Sequence, residues 1–261
     1  MKRIQSRENP FFRELLKIAT SARNRKQSAK TLLDGTHLIG SFLDAGLKPL
    51  HVLLNAASHS VEIEALKERM QGIPVTELDG KLFAEISELK TATGMLALIE
   101  VQKPGPADFS FGLLLEDIQD PGNLGSIIRT SAAAGCDGVF LSPGCADAWS
   151  PKVLRAAMGG HFCTRIHECQ DLPEVASAFK GMKLATSLRA EASLYECDLS
   201  GDVAFMFGNE GAGLSESLSK HATHEIRIPM PGGIESLNVA AASAICAFEA
   251  VRQRLCKGGR Q

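Results

Sequence analysis

The chain has one tryptophan, Trp149, and one tyrosine, Tyr195, beside twelve phenylalanines, which leaves little material for a surface of stacked aromatic rings. Trp149 precedes an apparent helix, and packing is the first reading for it. Long apolar runs are missing as well. The longest, Val203 to Phe207 and the alanine-rich Val239 to Ala244, fall far short of the roughly 20 residues that a membrane helix needs. Lys2 and Arg3 lead into charged and polar residues rather than an apolar signal core, so the expectation is a cytoplasmic protein. There is no C-x-x-C pair among the seven cysteines, and their odd number argues against a disulfide framework. Cys136, Cys163 and Cys246 read as small core residues. Cys163 and Cys169 alternate with His161 and His167 along one apparent strand, a weak pattern from which no metal is expected.

Net charge is also small, at −2, but it is unevenly spread. The first thirty residues hold nine Lys or Arg against Glu8 and Glu14, which leaves nineteen basic residues against twenty-eight acidic ones in the rest. A basic segment on an acidic body suits a phosphate-backbone surface and equally a solvated helix face.

What is present is a regular alternation of strand and helix. Asn9-Pro10 reads as a helix cap with proline at the first helical position, and Phe11, Leu15, Leu16 and Ile18 supply an apolar stripe. After a basic turn, Ser21 to Lys26, come a strand (Thr31 to Leu33) and a helix capped by Thr36. Strands at His51 to Asn55, Val75 to Leu78 and Met95 to Val101 alternate with helices after Ser60 and Asp79. This pattern predicts a small α/β domain over residues 1–101 with a parallel or mixed sheet. Gln102 to Asp108, Q-K-P-G-P-A-D, is the best linker. Over 109–261 the alternation resumes with strands at Gly112 to Glu116, Gly138 to Leu141, Thr164 to His167, Lys183 to Thr186, Val203 to Phe207 and His224 to Ile228. Helices are expected from Leu124 with Asn123 as cap, from Pro151 with Ser150 as cap, after Asp171, after Ser215, and from Ser236.

Three loops at the carboxyl ends of expected strands are the places where an open α/β sheet gathers ligands. The first, E-D-I-Q-D-P-G-N-L-G-S-I-I-R, turns at Asp120-Pro121-Gly122 and carries Asn123 and Arg129. The second, F-G-N-E-G-A-G-L-S, places three glycines around Glu210 and lets backbone amides approach a ligand closely. It matches neither G-x-G-x-x-G nor the phosphate loop that ends in Lys, which disfavours a nucleoside triphosphate. The third, I-P-M-P-G-G-I-E-S-L-N-V-A, leads into the last helix with Ser236 and Asn238.

These three motifs, in this order and across essentially the whole chain, resemble the SpoU family of the SPOUT methyltransferase superfamily. The resemblance implies an α/β fold: a C-terminal SPOUT domain with a parallel sheet and a deep trefoil knot, behind a smaller N-terminal α/β substrate-binding domain. It implies methyl transfer from S-adenosylmethionine to a ribose 2'-hydroxyl of structured RNA by a homodimer, with no metal. Asn123, Arg129, Glu210, Ser236 and Asn238 fall on the family's catalytic motif positions, and Gly208, Ile228, Met230 and Leu237 on loops that hold the cofactor. The N-terminal domain resembles the family's substrate-binding module through S-R-E-N-P at Ser6 to Pro10, the basic turn Arg23 to Lys26 and L-L-D-G-T-H at Leu32 to His37. Two departures are Asp34, where many relatives have glutamate, and Ala157, where a serine is common.

None of the seven histidines falls in the three loops, and a guanidinium with a pKa above about 12 is a poor base. Arg129 is therefore expected to bind the phosphate beside the target ribose, while Asn123, Glu210, Ser236 and Asn238 orient groups and water carries the proton away. Arg7, Arg23, Arg25, Lys26, Lys152 and Arg155 are the expected RNA phosphate contacts. Ribosomal RNA is favoured over transfer RNA by the extra N-terminal module. The rival readings are a non-catalytic RNA-binding protein and a nicotinamide-dependent dehydrogenase, the latter weakened by the missing G-x-G-x-x-G.

Overall fold

The structure, a computed structural model, describes residues 2–89 and 93–258. It divides into two compact units, one running to Gln102 and including Trp149–Phe162, the other formed by Lys103–Ala148 and the residues from Cys163 onward.

The first unit is built on a mixed five-stranded sheet ordered β1-β4-β3-β5-β2, from β1 (Lys2–Ile4), β2 (Lys30–Asp34), β3 (His51–Asn55), β4 (Val75–Leu78) and β5 (Met95–Glu100). β4 pairs in parallel with β1 and β3, whereas β5 runs antiparallel to β3 and β2. Helix α1 (Pro10–Thr20) begins as its sequence dictates, with the Asn9 side chain accepting from the N–H groups of Phe11 and Phe12. Its face Phe12, Leu15 and Ile18 is buried against Leu53, Phe83 and Leu98. The strand β1 was not anticipated: it has three residues and one buried side chain, too short for an alternating pattern to register.

The expected basic turn after α1 is a helix, α2 (Ala22–Ser28). Ser21 accepts from the Asn24 N–H at 3.3 Å, and Ala29 ends the helix in the left-handed region at φ 50°. In α3 (Thr36–Asp44) the capping position belongs to Gly35 and not to Thr36, whose hydroxyl donates instead to Glu62 Oε2 at 2.9 Å. Helices α4 (Val61–Arg69) and α5 (Gly80–Ile86) start behind Ser60 and Asp79. The segment Trp149–Phe162, with α7 (Pro151–Ala157) capped by Ser150, packs in this unit, and the Thr31 hydroxyl donates to the Trp149 carbonyl at 2.6 Å. Trp149 is 3% exposed and tilts over His161, so its ring is core and not a stacking surface.

The second unit carries a six-stranded sheet, entirely parallel, ordered β11-β9-β10-β6-β7-β8. The strands are β6 (Phe111–Leu115), β7 (Gly138–Leu141), β8 (Arg165–His167), β9 (Met182–Thr186), β10 (Val203–Phe207) and β11 (His224–Ile226). Every residue of β6 and β10 is buried, as expected for central parallel strands covered on both faces. From β6 the chain runs outward through β7 and β8, then returns on the other side, so β6 and β10 flank the switch point. There the loops at their carboxyl ends open a crevice. Helices α6 (Pro121–Ala134), α8 (Leu172–Ala178), α9 (Glu216–Ser219) and α10 (Val239–Gly258) complete the unit, and α10 packs along α6.

Two helix starts differ from the expectation, and both differences matter at the site. α6 begins at Pro121, because Asp120 accepts from the Asn123 N–H at 2.7 Å; Asn123 is therefore inside the first turn and its side chain is free of capping duty. α10 begins at Val239 and not at Ser236: the Asn238 side chain accepts from the N–H groups of Ala240 and Ala241 at 2.9 and 3.3 Å. Pro229, Pro231 and Gly233, at φ 74°, keep the preceding segment out of the helix. One core assignment also fails. Cys136 and Cys246 are buried, but Cys163 is exposed beyond a 3-10 turn at Gly160–Phe162. Among the described residues, no helix is long and apolar enough to cross a membrane and no group of metal-ligating side chains converges.

Candidate active site

The three loops meet through one side chain. Asn123 donates from Nδ2 to Glu210 Oε1 at 2.8 Å and accepts at Oδ1 from Asn238 Nδ2 at 2.8 Å. One amide thus joins residues 87 and 115 positions away in sequence. Asn238 can reach because its Oδ1 caps α10 while its Nδ2 points outward to Asn123.

The glycine loop is fixed from below by the end of β6. Both oxygens of Glu116 accept from Ser215, one from its N–H and one from its hydroxyl, each at 2.6 Å. The Asn209 amide donates to the Asp117 carbonyl at 2.9 Å, and its oxygen accepts from the N–H groups of Gly211 and Ala212. Asp117 is itself held in the left-handed region, φ 55°, by a reciprocal pair with Ser142: its N–H donates to Oγ at 2.9 Å and Oγ donates back to its carboxylate at 2.6 Å. Sequence reasoning passed over Glu116, Asp117, Asn209 and Ser215. The signal available was a run of polar residues directly after two fully buried strands. Gly208 must lack a side chain, because a Cβ there would lie 2.1 Å from the Gly213 carbonyl carbon and 2.2 Å from Leu214 N. Both contacts are backbone, so nothing can yield.

Beside this joint lies a cavity of about 730 Å³. It is lined by the end of β9 and the segment after it (Ser187 to Arg189), the glycine loop with Gly208 and Glu210, the segment after β11 with Arg227, Ile228 and Met230, and Ser236, Leu237 and Asn238. Seven of the nine expected site residues therefore share one wall or another of it, and Asn123 ties two of its loops together. Arg129 does not line it. Arg129 is exposed on α6, six residues beyond Asn123, which places it about 9 Å along the axis and on another face of the helix. Among the described residues, no histidine, lysine or cysteine lines the cavity. Cys145, beneath the first loop, donates to the Leu115 carbonyl at 3.2 Å, and burial pushes its thiol up, away from the reactive thiolate.

The six basic residues expected to meet RNA all belong to the first unit. Arg23, Lys26, Lys152 and Arg155 are exposed, and Arg7 is exposed and pairs with Glu85 at 2.9 Å. Arg25 is 5% exposed, and its Nη1 donates to the Ile18 and Ala19 carbonyls at 2.7 and 3.0 Å. Its guanidinium closes the end of α1 and is withdrawn from any surface.

Comparison with known proteins accounts for both units. Residues 110–248 match the SpoU rRNA Methylase family, and residues 9–97 match the MRM3-like substrate binding domain. An uncharacterized tRNA/rRNA methyltransferase of Synechocystis is 34% identical, with 96% of this chain and 94% of that one covered. The 23S rRNA (guanosine(2553)-2'-O)-methyltransferase of Bacillus subtilis is 32% identical, with 95% and 98% covered. Among solved structures, the AdoMet-bound rRNA methyltransferase from Sinorhizobium meliloti is 28% identical and superposes with a TM-score of 0.83 over 96% of this chain and 97% of that one. A match over more than half of the chain, in a parallel α/β unit whose three loops converge at the carboxyl ends of their strands, places this chain in the SpoU rRNA methylase family.

Proposed function

We propose that this SpoU-family chain transfers the methyl group of S-adenosylmethionine to a ribose 2'-hydroxyl of ribosomal RNA. The observation that carries the reading is the Asn123 joint, which assembles Glu210 and Asn238 at the edge of a cavity of nucleoside size. The cavity fits the cofactor: Ile228, Met230 and Leu237 offer apolar surface for a planar base, and the bare Gly208 brings main-chain groups to the wall. S-adenosylmethionine supplies a sulfonium-bound methyl group that a hydroxyl oxygen can attack in line.

The protein's own contribution is positional and electrostatic. Glu210, fixed by Asn123, accepts hydrogen bonds and orients the ribose hydroxyl. Asn238 and Ser236 hold the third loop against it, and solvent takes the proton, since no histidine, lysine or cysteine lines the cavity among the described residues and the guanidinium groups that do are poor bases. Arg129 binds the phosphate next to the target ribose and stabilises negative charge on the attacking oxygen. Because Arg129 lies outside the cavity of its own chain, the homodimer is where it completes a site. Ile234, Leu237, Phe248 and Leu255, exposed by 38% to 72% on the third loop and α10, supply the apolar surface for that pairing. The C-terminal trefoil knot belongs to the same reading.

Residues 1–101 grasp the RNA, residues 102–108 link, and residues 109–261 carry the chemistry, except that Trp149–Phe162 brings Lys152 and Arg155 to the RNA-grasping unit. Arg7, Arg23, Lys26, Lys152 and Arg155 hold phosphates. Ribosomal RNA is preferred to transfer RNA because the Bacillus and Sinorhizobium relatives are named for rRNA and the front domain matches a substrate-binding module. The cytoplasm, where bacterial ribosomes are made, is the site of action. The test is a map of 2'-O-methyl positions in total RNA from cells with and without the protein: one rRNA ribose loses its mark if the reading holds, and an unchanged map ends it. Turnover of Arg129→Lys against pH tests the role of Arg129, since near-normal activity would exclude two-pronged phosphate recognition.

A further inference from the structure

Two arginines without a role in the reaction line the same cavity. Arg189 follows β9 and Arg227 follows β11, and both are exposed. Their backbones are not loose. Ser187 N–H donates to the Ile226 carbonyl, Arg227 N–H to the Ala192 carbonyl and Leu194 N–H to the Arg227 carbonyl, each at 2.9 Å. The Arg189 N–H donates to Ser187 Oγ at 3.2 Å. The two segments therefore form a frame that holds both residues at one rim.

Among the described residues, neither guanidinium has a hydrogen bond or an ion pair. Among the described residues, the carboxylates lining the cavity are Glu210, which is engaged by Asn123, and Glu225, which forms no ion pair with either arginine. Because neither carboxylate pairs with them, both guanidinium forks keep their N–H donors open to an incoming oxyanion. Guanidinium forks favour planar or tetrahedral oxyanions, which they bind by paired N–H donors.

We infer that Arg189 and Arg227 form an oxyanion subsite at the rim of the cofactor cavity. The inference rests on the reading of that cavity as the S-adenosylmethionine site. Two oxyanions reach such a rim, the α-carboxylate of the cofactor's amino-acid arm and a phosphate of the RNA substrate.

The experiment uses the full chain with Arg189→Gln, Arg227→Gln and the double variant. Calorimetry with S-adenosylmethionine is compared with 5'-methylthioadenosine, which keeps the nucleoside and lacks the carboxylate. Binding of a mixed-sequence RNA oligonucleotide is followed across a salt series. If the carboxylate is the ligand, the double variant loses about tenfold or more in S-adenosylmethionine affinity and none for methylthioadenosine. If phosphate is the ligand, RNA affinity falls by a similar factor and the slope of log affinity against log salt shrinks by about two. Equal losses for both nucleosides, with RNA binding unchanged, would show that the arginines only shape the wall and would overturn the inference. So would no change in any arm. Thermal unfolding checks the fold; both side chains are exposed, and the single variants carry the same comparison with smaller losses if the double variant is not obtained. Failure of the wild type to bind S-adenosylmethionine would instead sink the proposed function, and the RNA arm would still decide the subsite.

Discussion

The two units use the same ingredients, helices on a sheet, to different ends. In the second unit all six strands point one way, so every strand sends its following loop to the same edge, and loops far apart in sequence meet there. In the first unit β5 runs against β3 and β2, so one of its five strands sends its following segment to the opposite edge. The consequences appear in the polar residues. In the second unit Asn123, Glu116 and Asn209 bridge the loops at their common edge, whereas in the first unit Arg25 closes the end of α1 and Thr31 and Thr36 tie one element to another. The parallel sheet gathers its loops at one edge, whereas in the first unit exposed basic residues sit on helices, Arg23 and Lys26 on α2 and Lys152 and Arg155 on α7.

Substitutions that act on one unit alone test this contrast. The largest effect is expected from Gly208→Ala, whose added methyl meets backbone at 2.1 Å. Displacing the glycine loop costs about 1–3 kcal/mol, so S-adenosylmethionine affinity should fall on the order of 10- to 100-fold. Binding by calorimetry that matches the wild type would show that the loop does not form the wall. Next comes Asn123→Ala, which removes the hydrogen bonds to Glu210 and Asn238; a fall in kcat/KM of about tenfold or more is expected, with RNA affinity unchanged. If RNA binding falls instead, the joint belongs to substrate recognition.

In the first unit, Arg25→Ala leaves the Ile18 and Ala19 carbonyls without their donor and should lower stability by about 2 kcal/mol, measured by denaturant unfolding. Arg23→Gln should leave stability alone and weaken RNA binding less than tenfold. Equal behaviour of these two neighbours would erase the distinction between buried and exposed arginine.

The smallest effect is a pH dependence of stability. His167 is 4% exposed and stacks on Phe140 at 4.5 Å; burial, assisted by Arg165, holds its pKa below the usual 6.5. His51, in the first unit, is shifted the same way by burial. A neutral folded histidine binds fewer protons than an unfolded one as pH falls through 6.5, so stability is full above that value and declines below it toward the folded pKa. His167→Phe should flatten this decline in a series of unfolding curves from pH 8 to pH 5. An unaltered slope would exclude His167 as its source.

Much of the molecule can be read from its sequence because the signals are local. Asn9, Ser60, Asp79, Ser150, Asp171 and Ser215 cap their helices through bonds to N–H groups two or three residues on, and the runs 111–115 and 203–207 are apolar throughout, as central parallel strands require. The three loops, and seven residues of theirs that line the cavity, are legible for the same reason. The caps differ where two polar residues competed, Asp120 with Asn123 and Ser236 with Asn238, and at Thr36, whose hydroxyl is drawn to Glu62 and leaves the capping position to Gly35.

What the sequence by itself determined is the succession of strands and helices, the basic front and the three motifs, since each rests on side chains within a turn or a strand length of one another. Only the tertiary structure decided that Arg25 is buried, that Trp149–Phe162 joins the first unit, and that one amide ties three loops together. Those outcomes depend on strand order and on partners dozens of residues away, and a chain encodes such contacts only through the packing of the whole.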